Sequence, residues 1–274
     1  MKVRAWLVLL AFAAIAVSSA FAKDELVGFS ARKDTTFAAI LTYNPDSPPV
    51  FVAILLPGGK GDFHFKSKDG GITMINEERL PNRLRPLFLE RGAASYLVDS
   101  PSDMGELTDH FRASREHVAD LEAVFDDAAK RFPSVPVIVI GHSNSTQSAA
   151  YVAAAEQKKI QGVVLIEGRF AWINYNDKFI DGNGLSKFDW SSIKIPVLII
   201  QHKKDDCFAM PYEAAAKVAE RNRAFQFITI DPPGSVAAGE CTYKGTHNLV
   251  GQESVVADDV LNWSKTMVKG EAAH

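Results

Sequence analysis

Cysteine is scarce in this chain of 274 residues: there are two, Cys207 and Cys241. That scarcity excludes a disulfide-dense scaffold, an iron–sulfur protein and a zinc ribbon, all of which need clustered thiolates. No H-E-x-x-H sequence and no C-x-x-C pair occurs, so no metal site and no cofactor is expected. Basic residues are not in excess either, with 30 Lys+Arg against 33 Asp+Glu and a formal net charge of −3. Nucleic-acid binding rests on a basic face, and no nucleic-acid partner is expected. Internal repeats, low-complexity tracts and long blocks of one charge are missing too, which removes solenoids and charged tails. The apolar run Leu7 to Val17 is shorter than the roughly 20 residues a spanning helix needs, so no membrane span is expected.

That run fits an export signal instead. Lys2 and Arg4 precede it, and Ala20-Phe21-Ala22 forms an A-x-A cleavage site before Lys23. Residues 1–22 are therefore expected to be removed, leaving 28 basic and 33 acidic residues in a periplasmic or secreted chain. In such a compartment Cys207 and Cys241 are a candidate disulfide. The remaining 252 residues, 23–274, suit one large α/β domain with a sizeable core.

What the chain does contain is alternation. Apolar runs of strand length occur at 50–56, 94–99, 135–140, 162–167, 195–200 and 225–230, several of them apolar at every position. That is the pattern of a parallel sheet covered on both faces. A weaker pair at 25–31 and 36–43 predicts an antiparallel edge hairpin. Between the runs, helical periodicity predicts helices near 77–92, 109–132, 211–222 and 253–268. The order implies right-handed crossovers and a doubly wound, mostly parallel sheet of about eight strands flanked by helices. One segment, 168–192, has no period and carries Phe170, Trp172, Tyr175, Phe179 and Trp190. It reads as a lid-like insertion or as a plain surface excursion.

The chemistry concentrates at three turns. After the strand "VIVI" the chain runs Gly141-His142-Ser143-Asn144-Ser145 and then into small residues. In a nucleophile elbow the serine sits on a strained strand-to-helix turn, and the residues two before and two after it must be small. Gly141 and Ser145 meet that demand, which marks Ser143 as a nucleophile. Asp205 and Asp206 follow the strand at 195–200, and His247 precedes the last helix, in the order Ser, acid, His that this architecture uses. Asp205 is favoured as the acid over Asp206, and Glu167 is a more distant alternative. "LLPGGKGDF" follows the first long strand, and its glycines can turn N–H groups toward a developing oxyanion. Gly59 is the favoured donor, Lys60 a second possibility, and the N–H of Asn144 the other. A phosphate-loop reading of "GGKG" fails, because Ile54 and Gly61 stand where Walker sequences need Gly and Ser or Thr.

Of the other histidines, His142 is expected to pack beside the elbow and His64 to lie on a surface loop, with the oxyanion pocket as its alternative. His110, His117 and His274 are expected to face solvent.

With the elbow, the acid loop, His247 and the Pro57-Gly58-Gly59 loop in place, the chain resembles the α/β-hydrolase superfamily over residues 50–267. It departs at Ser145, where glycine is usual, and at Pro57, where many members have histidine. The resemblance implies a serine hydrolase acting on small-molecule carboxylic esters, with Ser143, His247 and Asp205 as triad and Gly59 and Asn144 as oxyanion donors. Amide, peptide or thioester cleavage by the same triad is an alternative, and so is a catalytically silent hydrolase fold that only binds.

Overall fold

The computed structural model describes residues 23–172, 182–232 and 241–271, the side chains of 268–271 excepted. The expected signal at 1–22 and His274 lie outside the described residues. The chain opens with β1 (Lys23–Arg32) and β2 (Thr35–Tyr43), an antiparallel hairpin as predicted. β3 (Val52–Leu56) follows, then a short hairpin of β4 (Lys66–Lys68) and β5 (Gly71–Thr73) that the polar sequence did not signal. α1 (Leu80–Glu90) carries Pro81 in its first turn and is closed by Gly92 at φ +76°, a conformation that favours glycine. The remaining elements are β6 (Ala94–Val98), α2 (Asp109–Arg112), α3 (Arg115–Arg131), β7 (Val137–His142), α4 (Ser145–Ala155), β8 (Gly162–Ile166), β9 (Val197–His202), α5 (Tyr212–Arg221), β10 (Gln226–Ile230) and α6 (Glu253–Glu271).

Eight strands form one sheet in the order β1-β2-β6-β3-β7-β8-β9-β10, parallel from β6 to β10 and antiparallel at the β1–β2 edge. β3, β6, β7, β8 and β9 are buried at every residue, which explains their largely apolar character, with Ser95, His142, Gln201 and His202 as the polar exceptions. Alternate residues feed two cores. Ile54, Val139 and Leu165 pack with α3 and α4 on one face; Leu55, Ile140 and Ile166 pack with α1 and α6 on the other. From β3 the chain crosses to β6 on one side, and it then returns to β7 on the other side of β3. The loops at the carboxyl ends of β3 and β7 therefore meet at a topological switch point, where open α/β sheets place their sites.

Two expectations need correction. The helix predicted over 109–132 is two helices, because Thr108 and Ser114 each cap a new start, accepting from the N–H of Phe111 and His117 respectively. The break turns His117 inward with Asp120 and Leu121 on α3, so that it is buried rather than solvent-facing. His110 and His64 are exposed. Within 168–192 the described aromatics divide. Trp190 meets Phe170 tilted and Phe188 and Phe225 edge-on against the core beside α4, while Trp172 is exposed. Tyr175 and Phe179 lie outside the described residues.

Candidate active site

Ser143 directly follows β7 and holds a left-handed backbone at φ +58°, strained for a residue with a side chain. Three hydrogen bonds maintain it. The Ser143 N–H donates to the Ile166 carbonyl at 2.9 Å, and the Ser143 carbonyl accepts from the Thr146 N–H at 3.0 Å and the Thr146 hydroxyl at 2.7 Å. A Cβ at position 141 would stand 2.9 Å from Ala149 Cβ and overlap the Ser145 carbonyl, so only glycine fits. Gly58 is confined in the same way, since a Cβ there would meet Ser143 Cβ at 2.6 Å. The β3 loop thus lies directly against the serine.

His247 sits in a single 3-10 turn, Thr246–Asn248, at the end of the loop after β10. Its Nε2 is 2.9 Å from Ser143 Oγ and its Nδ1 is 2.8 Å from Asp205 Oδ2. Asp205 also accepts from the Cys207 N–H at 2.9 Å through its other oxygen. Asp206 is engaged elsewhere, accepting from the Thr246 hydroxyl at 2.9 Å. Of the two aspartates it is Asp205 that reaches His247. Burial works against the Asp205 charge, but hydrogen bonds from His247 and Glu167 outweigh it and hold the carboxyl below its usual range. His142, buried beside the elbow as expected, donates from Nε2 to the His247 carbonyl at 3.0 Å. Burial pushes its pKa down to about 3, so it supports His247 as a neutral ring.

Glu167 does not replace Asp205; it supports it. It is fully buried at the end of β8, accepting from the His202 N–H at 2.6 Å and from Gln201 Nε2 at 2.9 Å. Burial, reinforced by the neighbouring Asp205, pushes its carboxyl well above the usual range. Both effects favour the protonated carboxyl, the form of Glu167 that can donate a hydrogen bond to Asp205. Among the described residues, Glu167, Asp205 and His247 are a group close enough to share an ion, their ligand atoms lying within 4.8 Å of one another. Each is already committed to these hydrogen bonds, and an ion there would have to displace them.

Cys207 and Cys241 are bonded, joining the acid loop to the loop that leads to His247. A cavity of about 240 Å³ opens over Ser143, walled by this disulfide, Phe208, Met210 and Tyr243 and floored by Gly58 and Gly59. Arg79 closes one side, and its guanidinium is spent on the Gly58 carbonyl, on Asp62 and on the Tyr243 hydroxyl. The contacts of Arg79 and Glu167 were not recognisable from sequence, because each side chain meets partners distant in the chain. The arrangement is one that activates a serine hydroxyl: a base within hydrogen-bond reach, itself oriented by a third group.

No family model matches the sequence, and no curated protein matches it. Similarity is found in structure. Est1E from Butyrivibrio proteoclasticus superposes with a TM-score of 0.61 at 17% identity, over 89% of this chain and 99% of that one. A serine hydrolase without a lid from Xanthomonas campestris gives 0.57 at 15% identity, over 88% and 94%. An esterase from Pyrococcus furiosus gives 0.58 at 15% identity, over 90% and 92%. At such identities what is shared is the architecture, and the architecture that these chains and this one have in common is the α/β-hydrolase fold.

Proposed function

We propose that this protein is an exported serine hydrolase that cleaves small carboxylic esters through an acyl-enzyme. The observation that carries the proposal is the continuous line of hydrogen bonds from Ser143 Oγ through His247 to Asp205, at 2.9 and 2.8 Å, beneath an open cavity. In this reading His247 Nε2 takes the proton of Ser143 as Oγ attacks the acyl carbon. Asp205 stays ionised, holds the proton on His247 Nδ1 and stabilises the imidazolium. The tetrahedral oxyanion receives the N–H groups of Gly59 and Asn144. His247 then protonates the leaving alcohol, and water, activated by the same imidazole, releases the acid. The Ser143 N–H is taken by Ile166, which leaves Asn144 as the donor from the elbow. Esters are favoured over amides because the neighbours of known activity are esterases, and the small cavity suits a short acyl group. Export is supported by the signal-like residues 1–22 and by the disulfide.

A fluorophosphonate probe tests the proposal. It should label the wild-type protein at Ser143 and leave folded Ser143→Ala unlabelled, and the variant should lose several orders of magnitude in kcat on p-nitrophenyl acetate. A folded wild-type protein that is neither labelled nor active on short-chain esters is a binding module, and the proposal is then wrong.

A further inference from the structure

The two departures from the usual hydrolase pattern touch each other. The Ser145 hydroxyl, standing where glycine is usual, donates to the carbonyl of Pro57, which stands where histidine is frequent. Behind Ser145 lies Arg112 from α2, a guanidinium with 1% exposure. It donates to the Ser145 and Ser148 hydroxyls through Nη1, and through Nη2 to the Gly59 carbonyl at 2.8 Å. Its hydrogen bonds go to neutral groups, since the carboxylate of Asp109 on the same helix pairs with Arg169. Burial lowers the Arg112 pKa to about 9, so the charge is held there against a real desolvation cost.

We infer that Arg112 and Ser145 are positioning residues for the oxyanion loop, fixing from behind the two peptides that flank the one carrying the Gly59 N–H, so that this N–H faces Ser143. This rests on the hydrolase reading above. The geometric reason is that a trans peptide points its C=O and its N–H in opposite directions, so holding one aims the other. Four successive carbonyls are held: Pro57 by Ser145, Gly58 by Arg79 at 3.4 Å, Gly59 by Arg112, and Lys60 by the Leu107 N–H at 2.7 Å. The peptide that carries the Gly59 N–H is thereby bracketed on both sides. Gly59 itself is at φ +58°, a conformation its neighbours must enforce. Donating to a carbonyl also polarises the N–H of the same peptide, so cation-assisted bonds to Gly58 and Gly59 strengthen the donors that follow them. A glycine at 145 would remove the Pro57 contact and one of the three hydrogen bonds that seat Arg112. In this chain the usual residue is therefore the wrong one.

The test is Ser145→Ala and Ser145→Gly in the full mature protein, with Arg112→Met as a second site. The readouts are kcat and KM on p-nitrophenyl acetate, the inhibition constant of a trifluoromethyl ketone whose adduct carries an oxyanion, and Tm. Losing one oxyanion donor outright costs about 10²–10³ in kcat, and misaiming it should cost roughly 10–100-fold. The expected result is that fall in kcat, an equal weakening of the ketone, and KM within about twofold. Arg112→Met combined with Ser145→Ala should be no worse than Arg112→Met alone, because the two act as one unit. Should Arg112→Met not fold, the Ser145 variants decide the matter alone. Unchanged kcat and ketone affinity in them overturns the inference, as does a loss of Tm with no preferential loss of the ketone. Phosphonylation of wild-type Ser143 is measured alongside, and its absence would refute the hydrolase reading rather than the role of the loop.

Discussion

Replacing Asp205 by Asn changes one atom and should disable the proposed relay. Asp205 Oδ1 accepts from the Cys207 N–H at 2.9 Å, so an amide at this position must leave its oxygen there. Its NH2 group then faces His247 Nδ1, where Oδ2 lies at 2.8 Å in the native protein. An NH2 can only donate, so Nδ1 must become the acceptor and the imidazole proton moves to Nε2. That nitrogen, 2.9 Å from Ser143 Oγ, then offers a proton to the hydroxyl instead of taking one. A tautomer error of this kind costs about 10⁴ in kcat, or roughly 5 kcal/mol of barrier. Asp206→Asn keeps an oxygen that can still accept from the Thr246 hydroxyl, and should alter kcat by no more than about twofold. Initial rates of p-nitrophenyl acetate hydrolysis at saturating substrate compare the two, with Tm as the control for folding. If Asp205→Asn stays within about tenfold of wild type, or if Asp206→Asn is the worse variant, the orienting role assigned to Asp205 is wrong.

Two further outcomes follow from other parts of the structure. The Cys207–Cys241 bond spans a sequence separation of 34 residues, for which chain entropy gives a stabilisation of roughly 4 kcal/mol. Because it joins the acid and histidine loops, mild reduction should lower kcat before far-UV circular dichroism changes; simultaneous loss of both signals would refute this ordering. Burial lowers the pKa of His117 to about 3, against about 6.5 in an unfolded chain. Between those values the unfolded chain takes up a proton that the folded one refuses, so this contribution is intact above pH of about 6.5 and lost as the pH falls. Urea unfolding should show wild type losing about 3 kcal/mol more than His117→Leu between pH of about 7 and 4, and parallel losses would contradict a neutral buried His117.

The sequence by itself determined the sheet, the elbow and the chain order of Ser143, Asp205 and His247. Strands buried on both faces must be apolar at most positions, so β3, β6, β7, β8 and β9 could be read directly from composition. The elbow was legible because its demands are local: Gly141 has no room for a Cβ, and Ser143 must leave the strand on a strained turn. Position in the chain order favoured Asp205 and Asp206 over the more distant Glu167, but which of the two adjacent carboxylates meets His247 depends on the path of one loop. Only the folded chain decides that, by turning Asp206 to Thr246 and Asp205 to the imidazole. His117 was misread because a two-residue break between helices rotates everything after it, and a capping serine inside an otherwise periodic run is easily taken for a polar face. The roles of Glu167, Arg112 and Arg79 arise wholly from tertiary contacts. A charged residue belongs on the surface unless a partner distant in sequence meets it, and their partners lie 17 to 164 residues away.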